Sequence, residues 1–443
     1  MLEIMNRRLW LTQVRNSSTV PKVAALAAFI AYIWYFKSRV SQSDFLVFYR
    51  AADAVLSNHT PYPPLSSATV YSGSSFVYPY VIAWFFTPFT LLDRQGAELA
   101  FVAVSLVSMV AALWFLGVRS LPLLLLFLFA STSIVAWQIG TLNPLFMAGV
   151  AIGWRYREKA IALGLSVALV AFAKLFLIPL LLWLLISKRY RALAASAIAL
   201  GVMLWVSFGL GPLSVPAYVR LLTRLAKHEG VKGYSTNALF RSFGFGVVGS
   251  DLAVVVVAIF IGLAFLRLYL GSRNEKILLG GAIVVALIIT PILWTSYLPL
   301  AGVAGVLLFG EKVGAVGYSL CSWLVTTPDR AQSFELFLIL SVVVSVVVYL
   351  GGGFSGSFYK IKLHLQENLD KRATLFLFVS LLLVVVATVF EPALLPLLLT
   401  QYILLLVVPG LVFIKSSEDP TYPYQKWLFH GASSTLDDDG AVV

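Results

Sequence analysis

Long apolar runs recur along this chain and restrict what it can fold into. Residues 99–116, 192–208 and 252–270 are almost free of charge, and each is long enough to cross the bilayer core as a helix. Since 60% of the residues are hydrophobic, 12% are charged and the mean hydropathy is +0.91, we expect an all-α polytopic membrane protein. The pattern predicts about 11–13 transmembrane helices, with a short amphipathic helix in the first external loop.

Positive charge is concentrated in short loops and gives the chain a net charge of +12. Basic loops are typical of the cytoplasmic side of a membrane protein, so the charge implies a lipid bilayer and no nucleic-acid partner. The single cysteine, Cys321, excludes an intrachain disulfide. The first apolar run, 23–36, is not followed by a small-residue cleavage site, so we expect a retained span with a cytoplasmic N-terminus.

Two basic loops, 154–159 and 188–191, predict broken helices. If both loops are cytoplasmic, the chain crosses the membrane an odd number of times before the first loop and an even number between the two. We therefore expect a break at 137–143 and two half-length helices around Lys174 and Pro179. The alternative is one tilted helix of about 27 residues with Lys174 facing a neighbouring helix.

The other apolar runs alternate regularly across the membrane. A span is expected up to about residue 92 and a long external loop over 209–250, and further spans are expected at 277–292, 298–309, 313–327, 334–351, 374–390 and 394–414. We divide the chain into a transmembrane module that carries the site (1–310), C-terminal transmembrane helices (311–415) and a disordered cytoplasmic tail (416–443).

The segment 41–62 departs from the apolar pattern and is a candidate site. Phe45, Phe48 and Ala52 recur at helical spacing behind Asp44. Asp44 fits two roles: it can cap that helix, or it can act as a general base where the chain leaves the bilayer. Asp53 falls on the opposite face of the same helix, which favours a single base over a pair of carboxylates.

Four connections that we expect on the outer face carry polar or aromatic residues. They contain Asp44, the segment 71–80, Arg241 and the segment 294–297. Because all four lie on the same side in this topology, they can converge on one cavity. Lys174, an ionisable residue at membrane depth, is a further candidate. No Asp-x-Asp motif lies in these connections, so we expect a site without metal and without a cofactor.

Six stretches carry a resemblance to a known family. In chain order they are SDFLVFYRAADAVL, FVYPYVIAWFFTPFTLL, QIGTLNPLFMAGVA, ALGLSVALVAFAKLFLIPLLLWLLISKRYRA, NALFRSF and TPILWTSY. In order and spacing they resemble glycosyltransferase family 87, whose members have the GT-C fold and include mycobacterial phosphatidylinositol-mannoside mannosyltransferases. The resemblance covers about the first 300 residues.

The resemblance implies that Asp44 is the catalytic base and that Lys174 and Arg241 bind the donor phosphate. With the polar and aromatic residues of the external connections added, the predicted substrate-binding residues are Tyr49, Arg50, Tyr78, Gln138, Asn143, Asn237, Trp294 and Tyr297. Ser296 stands where the family has a histidine, and a serine cannot act as an imidazole acid or base.

The resemblance also implies the reaction. It predicts inverting transfer of a sugar, mannose above others, from a polyprenyl-phosphate donor to a lipid-linked or cell-envelope glycan acceptor, at the extracytoplasmic face of a bacterial plasma membrane. Such a donor needs one carboxylate to deprotonate the acceptor and one or two cations for the departing phosphate. The alternative is a transporter or flippase of a lipid-linked saccharide, which should show broken helices in matching halves. The sequence shows one broken region and no counterpart.

Overall fold

The computed structural model describes residues 41–71, 73, 75–230, 233–330 and 400. All secondary structure in this part of the chain is helical. Short 3-10 helices lie at Ala68–Tyr71, Thr87–Leu91, Leu175–Leu177 and Thr295–Tyr297. The α-helices are α1 (Ser43–Leu56), α2 (Tyr80–Phe85), α3 (Arg94–Phe115), α4 (Leu121–Leu128), α5 (Ser131–Gln138), α6 (Asn143–Arg155), α7 (Ala160–Ala173), α8 (Pro179–Ile186), α9 (Tyr190–Gly209), α10 (Val215–Glu229), α11 (Thr236–Ser242), α12 (Val247–Ser272), α13 (Glu275–Ile289), α14 (Pro299–Phe309) and α15 (Glu311–Arg330).

Three helices of the described part, α3, α9 and α12, are long and apolar enough to cross a membrane. The consecutive helices α4 and α5 reach that length only as a pair, and they are bent by 66°. The expectation of an all-α polytopic membrane protein is therefore confirmed. The predicted spans 23–36, 334–351 and 374–390, the span 394–414 apart from Thr400, and the tail lie outside the described residues, so the total number of spans stays a prediction.

The span that was predicted to end near residue 92 is shorter than expected. Helix α2 ends at Phe85, and the 3-10 helix Thr87–Leu91 follows it. Pro88 has no N–H and cannot continue the α-helical ladder, and the Thr87 hydroxyl instead donates to the Trp84 carbonyl, 2.9 Å away. The apolar stretch Tyr80–Leu91 therefore reaches only about 18 Å, less than the bilayer core.

The helix that contains Lys174 is broken, as predicted. Helix α7 ends at Ala173, Lys174 has extended backbone angles, and α8 begins at Pro179 after the 3-10 helix. A continuous helix over 160–186 would separate its ends by about 40 Å. Instead, Arg189 donates to the carbonyl of Arg157, 2.5 Å away, so the chain returns to where it started. The alternative of one tilted helix is wrong.

An ionic cluster joins the loops at that end of the bundle. The Arg189 guanidinium lies 3.0 Å from Glu158 and 2.7 Å from Glu275, and Arg157 lies 3.7 Å from Glu275. The loops before α7, before α9 and before α13 are thus held together. This contact agrees with the expectation that these basic loops share one side of the membrane.

The predicted break at 137–143 is also present, between α5 and α6. Gly140 takes a left-handed conformation there (φ +76°). A second break, between α4 and α5, was not predicted from the sequence. After this break, α5 begins with buried hydroxyl residues. The hydroxyls of Thr132 and Ser133 form hydrogen bonds with the Tyr318 hydroxyl of α15, at 2.7 and 2.8 Å.

The break at Lys174 has a counterpart, contrary to the sequence analysis. After α13, the 3-10 helix Thr295–Tyr297 precedes α14, which begins at Pro299. Helices α7 and α13 both start beside the ionic cluster, so the two matching segments run in the same direction. Their breaks meet, because the rings of Phe176 and Tyr297 stack with centroids 5.6 Å apart.

The connection 209–250, predicted as a loop, contains the helices α10 and α11. Helix α10 begins with Pro216 in its first turn, and Ala217, Tyr218 and Leu221 form its buried face. Arg220 and Arg224 are exposed. The sequence analysis missed α10 because its C-terminal half is polar, although its first half already has apolar residues at helical spacing.

Helices α7 and α9 pack closely because a glycine lies between them. A Cβ atom on Gly164 would lie 2.6 Å from the Ala192 carbonyl oxygen and 2.6 Å from the Ala195 Cβ. The Ser196 hydroxyl donates to the Gly164 carbonyl, 2.8 Å away. Small residues at such crossings are typical of helix pairs in membranes.

We expect Gly164→Ala to destabilise the protein by about 1–3 kcal/mol, because the added methyl group overpacks this contact. Gly201→Ala, in the exposed part of α9 with no atom within 4 Å of the added Cβ, should be neutral or stabilising. Thermal unfolding in detergent compares the two variants. Equal melting temperatures would contradict the close packing of α7 on α9.

Candidate active site

The first turn of α1 is docked on the broken end of α5. The Gln42 side chain donates to the carbonyls of Trp137 (2.7 Å) and Gln138 (3.2 Å), and the Asp44 amide donates to the carbonyl of Ile139 (2.8 Å). These bonds pair carbonyls at the end of α5 with the Gln42 side-chain amide and with a backbone amide that the start of α1 leaves free. Gln42 itself has a left-handed backbone (φ 43°) and is completely buried.

Asp44 does not cap its helix. The cap position is Gln42, and Asp44 lies inside the first turn of α1, so the capping interpretation is wrong. The Asp44 side chain is half-buried. Within the described part of the chain its carboxylate forms no ion pair or side-chain hydrogen bond. Burial raises the pKa of Asp44 to about 6, although the nearby positive charge of Lys174 opposes that rise.

Lys174 lies in an aromatic cage. Its ammonium group donates to the Tyr297 hydroxyl, 2.6 Å away, and lies 4.7 Å from the ring centroids of both Tyr78 and Tyr297. Phe176 stacks on the ring of Tyr297. The cage holds a cation through neutral partners, so the charge of Lys174 is not cancelled.

Tyr78 connects the cage to α1. Its ring lies 4.8 Å from the ring of Phe48, and Asp44 is close enough to act on its ionisation. Burial raises the pKa of Tyr78 to about 12, so it stays a neutral phenol. The structure thus brings together four of the predicted residues: Asp44, Tyr78, Lys174 and Tyr297.

Gln138 and Asn143 flank the break between α5 and α6, directly behind the first turn of α1. Both are buried. Asn143 donates to the Thr141 hydroxyl, 3.1 Å away, while its Oδ1 atom is buried without a hydrogen-bond partner in the described part of the chain. Such an orphaned buried acceptor is costly.

Asn237 and Arg241 lie on α11. Asn237 donates to Asp251 and to the Ser250 hydroxyl, so its amide ties α11 to the start of α12. The Nε atom of Arg241 is buried without a partner in the part of the chain that the structure describes. Arg241 makes no hydrogen bond or ion pair with Asp44 or Lys174, so the structure does not join it to their cluster.

The remaining predicted residues contribute in other ways. Tyr49 donates to the carbonyl of Leu92, 3.2 Å away, which fixes α1 against the chain before α3. Arg50 and Asp53 are exposed, and no ion pair joins them. Trp294 is half-buried at the start of the 3-10 helix that carries Tyr297, and Ser296 is buried.

Two residues near the cluster were missed by the sequence analysis. Tyr218 on α10 is buried and donates to the Val77 carbonyl, 3.1 Å away. Gln42 precedes the predicted base but carries no charge that would single it out. The amphipathic period of α10 could have indicated Tyr218, whereas nothing local could have indicated Gln42.

We expect Gly140→Ala to displace the first turn of α1. The new Cβ would lie 2.6 Å from both Gln42 Oε1 and Phe45 Cβ, so the Asp44 amide should exchange with solvent about tenfold faster. Gly117→Ala is the matched control, since Gly117 also has a positive φ but no atom within 4 Å of an added Cβ. Equal exchange at Asp44 in both variants would show that the contact is not tight.

Comparison with known proteins gives a family for the middle of the chain. Residues 76–291 match the model of glycosyltransferase family 87, a range that includes Tyr78, Lys174 and Arg241. Asp44 lies well before the matched range, and Tyr297 lies shortly after it. Searches of curated proteins and of solved structures found no match. The all-helical membrane fold and the family match lead to one conclusion: residues 76–291 of this chain belong to glycosyltransferase family 87.

Proposed function

We propose that this glycosyltransferase uses Asp44 as the general base in a single inverting displacement. The observation that carries the proposal is the half-buried Asp44 carboxylate, unpaired but close to the caged ammonium of Lys174. A base is most effective when its pKa is near the working pH, and burial places Asp44 there. An acid that was neutralised by an ion pair would not accept a proton as readily.

In the proposed step, Asp44 takes the proton of an acceptor hydroxyl. The acceptor oxygen forms a bond to the anomeric carbon while the bond between that carbon and the donor phosphate oxygen breaks. The electron pair leaves with the phosphate. The positive charge of Lys174 stabilises the negative charge that develops on the departing phosphate. Electrostatic stabilisation of this kind is usually the largest single contribution to catalysis.

Lys174 is available for this role because its partners are neutral. The rings of Tyr78 and Tyr297 hold the ammonium group without satisfying it as a counter-ion would. Arg241, whose Nε atom has no partner within the described residues, is proposed as a second phosphate ligand. Its planar guanidinium can bind two phosphate oxygens at once.

We propose a polyprenyl-phosphate sugar as the donor, with mannose as the sugar, and a lipid-linked or envelope glycan as the acceptor. The resemblance to the family supports the class of donor and the sugar. The position of Lys174 supports the side of the membrane: α7 separates it from the basic loops by about 20 Å. Since basic loops favour the cytoplasm, the site is proposed on the outer face of the plasma membrane.

The alternative function is transport of a lipid-linked saccharide. Two matching broken segments are present, but both run in the same direction from the ionic cluster rather than as an inverted pair. A transporter would also not require a base. The effect of removing the Asp44 carboxylate therefore separates the two functions.

We expect Asp44→Asn and Asp44→Ser to lower sugar transfer about 10²–10⁴-fold, because neither side chain can accept the proton. Asp53→Asn, at an exposed carboxylate on the same helix, should retain transfer. The measurement is the rate of label transfer from polyprenyl-phosphate mannose to lipids of native membranes that contain each variant, with folding matched by thermal melting. Full activity of Asp44→Asn would sink the proposed mechanism.

The pH dependence provides an independent test. Asp44 must be deprotonated, so we expect the transfer rate at low donor concentration to fall as the pH drops below about 6. Lys174 lowers the pKa of Asp44, so the residual activity of Lys174→Met should lose its acid limb at a higher pH than the wild type. A limb that stays in place or moves to lower pH would mean that Lys174 does not act on the base.

A further inference from the structure

Residues 75–79, which carry Tyr78 into the cluster, have no regular secondary structure. They lie between the 3-10 helix Ala68–Tyr71 and α2, so their carbonyls are not paired by a helical ladder. The Tyr218 hydroxyl donates to the Val77 carbonyl (3.1 Å), and the Tyr62 hydroxyl donates to the Tyr78 carbonyl (2.8 Å). Two consecutive carbonyls are thus held by phenols from two separate parts of the chain.

Both phenols are buried: Tyr62 and Tyr218 are each 6% exposed. Burial raises the pKa of both, so each remains a neutral donor. Val77 and Tyr78 are half-buried, so a lost hydroxyl would leave a partly buried carbonyl without its partner. The two hydrogen bonds therefore fix the backbone at residues 77 and 78 more firmly than surface bonds would.

A shift of the backbone at residues 77 and 78 would change the surroundings of Lys174 and Asp44 through the ring of Tyr78. Tyr78 forms one wall of the Lys174 cage and also packs on Phe48, one turn after Asp44 on α1. The other ring of the cage, Tyr297, is held by Phe176 and by the hydrogen bond from Lys174 itself, so it does not fix the ammonium group relative to α1. Tyr78 is the cage ring that also contacts α1, so the place of Tyr78 sets how the caged ammonium group lies relative to Asp44.

We propose that Tyr62 and Tyr218 are positioning residues of the transfer reaction. By holding the carbonyls of Tyr78 and Val77, they set the place of the Lys174 ammonium group relative to Asp44. Neither tyrosine needs to contact a substrate for this role. The proposal rests on the proposed function in so far as Lys174 binds the donor phosphate.

Tyr62→Phe and Tyr218→Phe test this role, since each removes only a hydroxyl and keeps the ring. Tyr318→Phe is the matched control: its hydroxyl is equally buried and bonds to Thr132 and Ser133, outside the cluster. We expect both test variants to raise the KM for polyprenyl-phosphate mannose about tenfold. They should also move the acid limb to higher pH, because a displaced Lys174 lowers the pKa of Asp44 less.

A purely structural role would make all three variants less stable without changing the KM for the donor or the acid limb. That result would overturn the proposal. Amide hydrogen exchange over residues 75–78 gives a readout that needs no activity: it should be faster in Tyr62→Phe and Tyr218→Phe and unchanged in Tyr318→Phe. Unchanged exchange in all three variants would equally overturn it. Failure of the proposed function looks different, since Asp44→Asn would then keep its transfer activity.

Discussion

Backbone groups that are freed where helices break are the constraint on which this structure depends. Within a bilayer each such group needs a partner from the protein. At the end of α5 the partners are the Gln42 side chain and the amide of Asp44. At the segment before α2 the partners are Tyr62 and Tyr218. The residues that pair these groups are also the residues that place the base and the cage.

This coupling explains why the cluster forms at the meeting point of the breaks. Lys174 lies in one break and Tyr297 in the matching one, and each is presented by a three-residue 3-10 helix that ends before a proline. Because both segments start at the same ionic cluster, their tips reach the same depth. A fold with continuous helices would leave no backbone bend at which a lysine and a tyrosine from distant segments could meet.

Much of this arrangement could be predicted from the sequence. Charge placement predicted the fold-back around Lys174, because two basic loops required an even number of crossings between them. Polar residues in apolar surroundings indicated Asp44, Tyr78 and Tyr297. The counterpart of the Lys174 break was missed because its tip carries a serine and a tyrosine instead of a charge. Helix α10 (Val215–Glu229) was missed because the polar residues of its C-terminal half obscured the helical spacing of its apolar residues.

Other features could not be predicted because they depend on contacts between distant segments. The left-handed Gln42 binds carbonyls far along the chain, and neither partner shows this in its own neighbourhood. The same holds for Tyr218 and Val77. Arg241 shows the reverse: its type and motif indicated a place in the cluster, yet its helix is tied to α12 and leaves it without a bond to Asp44 or Lys174.

The ionic cluster of Arg157, Glu158, Arg189 and Glu275 gives the two ends of the bundle different chemistry. The side chain of Glu158 is 78% exposed, so dissolved ions can screen its attraction to Arg189. The cage at the other end holds its cation with neutral rings and a phenol, which screening affects far less. High ionic strength therefore weakens the pair of Glu158 and Arg189, whereas the pair of Arg189 and Glu275, whose side chains are each 19% exposed, is screened far less, as is the cage.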